Sequence, residues 1–93
     1  MRQQSPITEK LRGFIAQNFG NTELGLIRIA KNLDLSGMSD VEIVDFCRQI
    51  ILSTPIAEIE VRGKNYYLHC QEHSAVLTIN RSSLGIITAL RMG

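Results

Sequence analysis

Two rhythms divide this chain. Up to Ile51 the hydrophobic residues recur at three- and four-residue intervals, and after Pro55 they fall on every second position. The first rhythm predicts helices and the second predicts strands. Ser5-Pro6 reads as a helix start, with serine as cap and proline at the first helical position. Ile7, Leu11, Phe14 and Ile15 then form an apolar stripe, and Gly20 offers a stop. Thr22 caps a second helix, with Glu23 at its positive end and Leu26, Ile29, Ala30 and Leu33 on one face. Leu24 and Ile27 are expected to widen that face, and Asp34 to Gly37 reads as a loop. The third helix has the clearest start. Ser39 and Glu42 have capping-box spacing, and Met38 can pack on Ile43 as a staple. Val44, Cys47, Ile50 and Ile51 supply its buried stripe, while Asp40, Glu42, Asp45 and Arg48 decorate the rest. Pro55 ends it, because the residue before a proline is pushed out of helical geometry.

Beyond Pro55, Ala57, Ile59 and Val61 alternate with Glu58, Glu60 and Arg62. Gly63-Lys64 makes a tight turn. Tyr66, Leu68 and Cys70 alternate with Tyr67 and His69 in a second strand. After the polar loop Gln71 to Ser74, Ala75, Leu77 and Ile79 alternate with Val76, Thr78 and Asn80 in a third. Arg81 to Ser83 turns again, and Gly85 to Met92 supplies a last, β-branched and aliphatic strand. Connections this short join antiparallel neighbours.

The expected architecture is therefore α+β: three N-terminal helices packed on one face of a four-stranded antiparallel β-meander. It forms a single domain over residues 1–93, with helices over about 5–54 and the sheet over about 56–92. If Ile59, Val61, Leu68, Leu77 and Ile79 face the helices, then Tyr67, His69, Val76 and Thr78 face away. The last strand is apolar on both sides, with Ile86, Leu90 and Met92 on one and Ile87 and Ala89 on the other. As a sheet edge it needs cover, either from an N-terminal helix or from a homodimer formed through this strand.

Composition narrows the function classes. The chain has 93 residues, 44% hydrophobic and 20% charged, and a net charge of +1. That suits a globular domain with one core and little room for an enclosed cavity. Residues 1–54 hold six basic and six acidic side chains, and residues 55–93 hold four and three. Neither part has the positive field of a dedicated nucleic-acid binder. No stretch approaches the roughly 20 apolar residues needed to cross a bilayer, and Met1 to Lys10 lacks a signal-peptide pattern. The expected setting is cytoplasmic, with Cys47 and Cys70 as reduced, buried thiols.

The run Arg62-Gly63-Lys64-Asn65-Tyr66-Tyr67 is followed by Leu77-Thr78-Ile79-Asn80 and then Ile86-Ile87-Thr88-Ala89, and two further stretches lie upstream. There stand Asn21-Thr22-Glu23 and Arg28-Ile29-Ala30-Lys31-Asn32-Leu33. Together, over about residues 21–92, these resemble the bacterial family domain of unknown function three-seven-eight-one. The resemblance implies a compact bacterial protein that stands alone. It brings no activity, cofactor or site residue with it.

Candidate chemistry is sparse. His69, Cys70 and His73 are good metal ligands by type. However, adjacent strand residues point to opposite faces, and no C-x-x-C or H-E-x-x-H accompanies them. The same geometry opposes a Cys–His nucleophile pair. Cys47, on a buried stripe, reads as inert. Glu58 and Glu60 are expected to share a strand face as solvated carboxylates, and the acids at the start of the third helix are explained by capping. No metal, cofactor or catalytic residue is expected. The 62–67 run faintly resembles an RNA-binding sheet motif, but Lys64 stands where an aromatic is required.

What remains is the exposed sheet face. With the bacterial setting that the resemblance implies, the expected function is a non-enzymatic bacterial or phage-type interaction module that binds a macromolecule, foremost a protein. The expected contact residues are Arg62, Lys64, Tyr67, His69 and Arg81. Two alternatives stand beside it. One is a small inhibitor of a bacterial defence complex, anti-CRISPR-like; the other is RNA or DNA binding through the basic Arg62-Lys64 hairpin.

Overall fold

The computed structural model describes residues 7–92, so the Ser5-Pro6 helix start lies outside the described residues. Three helices come first: α1 (Glu9–Asn18), α2 (Glu23–Asn32) and α3 (Asp40–Ser53). A single 3₁₀ turn, Ile56–Glu58, leads into β1 (Ile59–Arg62), β2 (Asn65–Cys70), β3 (Ala75–Asn80) and β4 (Ile86–Arg91). The strands pair in sequence order, all antiparallel. The fold is thus α+β, helices first and meander last.

Local chemistry sets the helix starts. Thr8, Thr22 and Ser39 each sit in extended geometry, and each side-chain oxygen accepts a backbone N–H of the first turn. The Ser39–Glu42 capping box is complete, since Glu42 Oε1 accepts the Ser39 N–H at 2.8 Å. The first described helix begins at Glu9, with Thr8 as its cap. Ile7 therefore precedes the helix, although it is buried. Gly20 is not the stop either. The α1 cap is Phe19 in extended geometry, and Gly20 pairs with the sheet instead. Its N–H donates to the Leu84 carbonyl at 2.9 Å, and its carbonyl accepts the Ile86 N–H at 3.0 Å. The connection between α1 and α2 thus occupies the edge of β4 at its first residue.

The core lies between the helices and one sheet face. Ile15, Ile50, Ile51, Leu68, Leu77 and Ile79 are fully buried there, with Cys47 and Cys70 among them. α3 lies over β2 and β3, α2 packs along β4, and α1 packs mainly on α3. Two arginines fasten α1 to α3. Arg12 Nη1 donates to the Thr54 carbonyl at the end of α3 (2.8 Å), and Arg48 Nε donates to the Ala16 carbonyl in the last turn of α1 (3.0 Å). Each places a cation where an antiparallel neighbour ends in unpaired carbonyls. Arg48, expected as surface decoration, also stacks on Phe19 at 5.3 Å.

Several expectations are corrected by packing. Phe14, Leu24 and Ile27 are more than half exposed, because α1 and α2 bury narrower stripes than their sequences offer. Ala57 and Glu58 belong to the 3₁₀ turn, so the first strand starts at Ile59. On β4 the strict alternation breaks. Thr78 pairs with Thr88 but Ile79 with Ile86, leaving Ile87 as an extra residue in a bulge. Ile86 and Ala89 therefore both pack toward the core, while Leu90 stays 52% exposed.

Candidate functional site

The sheet face away from the helices carries a row of polar and aromatic side chains. Its register follows from the hairpins. Glu60 stands opposite Tyr67, which stands opposite Thr78, which stands opposite Thr88. Arg62, Asn65 and Asn80 form the next row toward the hairpin tips. Gly63 makes the first tip possible, since its φ of +57° lies in the left-handed region that favours glycine.

Three of the five expected contact residues meet on this face. The Arg62 guanidinium carbon lies 4.3 Å from the centre of the half-buried Tyr67 ring, a cation–π arrangement. Asn65 Nδ2 donates to the Tyr67 hydroxyl at 3.4 Å. His69 Nε2 donates to Glu60 Oε1 at 2.9 Å, and the same carboxylate oxygen lies 3.6 Å from Arg62. The hydrogen bond from His69, helped by the Arg62 charge, holds the Glu60 carboxyl below its ordinary pKa. Glu60 thus organises the cluster. Sequence reasoning placed it among the solvated carboxylates, because the diagonal pairing of Glu60 with His69 depends on strand register. Glu58, expected on the same strand face, sits in the 3₁₀ turn instead. Ala57, Glu58, Glu60, His69, Gln71 and Met92 line an open groove of about 450 Å³ beside the pair.

The other two expected residues lie at the sheet end rather than on the open face. Arg81 Nη1 donates to the Gly63 carbonyl at 3.0 Å, and its backbone N–H donates to the Lys64 carbonyl at 2.8 Å. Its guanidinium carbon stands 5.9 Å from the ring of Tyr66, on the helix-facing side of the sheet, and not beside Tyr67. Asn80 Oδ1 accepts the N–H groups of Ser82 and Ser83, both at 2.9 Å, which fixes the turn that carries Arg81. Gly63, Lys64, Tyr66, Arg81 and Ser82 surround a shallow hollow of about 340 Å³. The Arg81–Tyr66 stack has no signal in local sequence, because it joins β2 to the β3–β4 turn.

His69, Cys70 and His73 diverge. Cys70 is fully buried, His69 turns to Glu60, and His73 meets the edge of the Phe46 ring at 5.2 Å between centres. Among the described residues no group of three or more His, Cys, Asp or Glu side chains gathers as a metal site would require. Burial pushes the Cys47 thiol up to about 11, with Arg48 only partly opposing it, so this thiol is held protonated.

Comparison with known families places the chain. It belongs to the family of proteins of unknown function DUF3781, whose model matches residues 14–90, from within α1 to β4. No curated protein and no solved structure matches it.

Proposed function

We propose that this member of the family is a non-enzymatic interaction module that binds a protein partner through the outer face of its sheet and the adjoining hairpin tips. The observation that carries this reading is the pre-arranged Glu60–Arg62–Tyr67–His69 cluster. Its side chains are held by contacts with one another on the sheet face away from the helices. Ordered aromatic and arginine side chains lose little conformational freedom on binding, which is why such residues anchor protein interfaces. The reactive groups do not converge in the same way. The Cys47 thiol is buried and protonated, His69 is hydrogen-bonded to Glu60, and His73 packs against the Phe46 ring.

The test is affinity capture from source cells with the full chain and with an Arg62→Ala/Tyr67→Ala double variant, read by mass spectrometry. Tyr67 and Arg62 lie outside the core, so circular dichroism of the variant should match the parent. Proteins retained by the parent and lost by the variant are the expected result. Identical capture by both would remove this face from consideration.

A further inference from the structure

Charge is graded along the sheet. The two segments that build the hairpin-tip end, residues 61–66 and 80–86, contain Arg62, Lys64 and Arg81 and no carboxylate. The segments at the other end, residues 55–60 and 71–74, contain Glu58, Glu60 and Glu72 and no lysine or arginine. Arg91, paired across from Ala75, is the one cation that β4 brings to that end. Glu60 is the carboxylate nearest the tip by register, and its contact with Arg62 is a long 3.6 Å between exposed groups.

Building on the protein-binding reading above, we infer that the partner presents an acidic segment, a run of Asp or Glu side chains, to Arg62, Lys64 and Arg81. Each cation has donors left to give. Lys64 makes no ion pair or side-chain hydrogen bond among the described residues. Arg81 spends one N–H on the Gly63 carbonyl. Both guanidinium groups are already held against tyrosine rings, Arg62 on one side of the sheet and Arg81 on the other. A guanidinium positioned in advance loses less side-chain entropy when a carboxylate docks, and its planar fork suits that docking. The opposite charge at the far end of the sheet orients the approach of such a segment.

The same geometry argues against a nucleic acid at this place. Binding of single strands relies on open aromatic faces for base stacking. Tyr66 is only 9% exposed and lies beneath Arg81, and Tyr67 is half-buried beneath Arg62. Glu60, held ionised beside Tyr67, opposes phosphate on the outer face.

Two-dimensional amide NMR of the full chain, titrated in low salt with a decaglutamate peptide and separately with a ten-nucleotide oligouridine, decides the matter. The peptide is expected to shift the signals of Arg62, Gly63, Lys64, Arg81 and Ser82 most. Added salt should weaken the effect. Lys64→Glu/Arg81→Glu should reduce the affinity about tenfold or more, since two attractions become repulsions. No response, equal shifts around Arg28, Lys31 and Arg91, or a stronger response to oligouridine would overturn the inference. If the peptide fails while cellular capture is still lost in the Arg62→Ala/Tyr67→Ala variant, the acidic partner is wrong and the protein-binding reading stands. If capture is also unchanged in that variant, both fall.

Discussion

Glu60 on β1 and His69 on β2 sit diagonally across the hairpin and join through a 2.9 Å hydrogen bond between Oε1 and Nε2. A diagonal pair of this kind is set by register, so it reports on the integrity of the open sheet face.

Removing the imidazole should release the carboxyl. In His69→Ala, the carbon-13 titration midpoint of the Glu60 side chain is expected to rise toward the ordinary glutamate value, because the first cause of its depression is gone. A folded-state pKa below the unfolded one stabilises the fold at pH above the unfolded value. That contribution disappears as the pH falls through the folded value. The parent should therefore lose this stabilisation in acid, whereas His69→Ala should lose less over the same range. A midpoint unmoved by the substitution would show that the hydrogen bond does not form in solution.

Arg12 and Thr54 make a structural test of the helical layer. Thr54 is fully buried, its hydroxyl donates to the Ile50 carbonyl at 2.7 Å, and its own carbonyl accepts the hydrogen bond from Arg12 Nη1. Arg12→Met keeps the aliphatic stem but leaves that carbonyl unpaired in a buried position, which costs about 1–3 kcal/mol. Urea unfolding should show a lower midpoint with an unchanged slope. Equal midpoints would mean that water reaches the Thr54 carbonyl.

The thiols offer a test of the core. Cys47 and Cys70 are both free and fully buried, and Cys47 is protonated up to about pH 11. A disulfide-exchange reagent at pH 8 is expected to leave both unmodified in the native protein, where neither sulfur is accessible, and to label both in denaturant. Rapid native labelling at Cys47 would contradict the packing of α3 on the sheet.

Much of the fold is legible in the sequence where the signal is local. Thr22 and Ser39 lie at their caps as expected, and Pro55 separates the two rhythms. Gly63 turns the first hairpin, and the face assignment of Leu68, Leu77 and Ile79 against Tyr67 and His69 follows from simple alternation. The candidate contact surface is only partly legible. Arg62, Tyr67 and His69 do come together, because two strands joined by a two-residue turn leave little freedom of register. Arg81 was readable as a cation near the tip but not as a neighbour of Tyr66. That placement is settled by how the β3–β4 turn folds onto the first hairpin.

The sequence by itself determined the order of elements, the caps, the turns and the two sides of the middle strands. Each of these follows from steric and hydrogen-bonding preferences within a few residues. Only the tertiary structure decided which stripes are buried and which apolar residues, such as Leu24 and Ile27, stay in the open. It also decided the cross-links of Arg12 and Arg48, the bridge from Gly20 to β4 and the bulge at Ile87. These depend on competition among distant surfaces for one small core. A segment of apolar spacing states that it can be buried, and the packing of the whole chain settles whether it is.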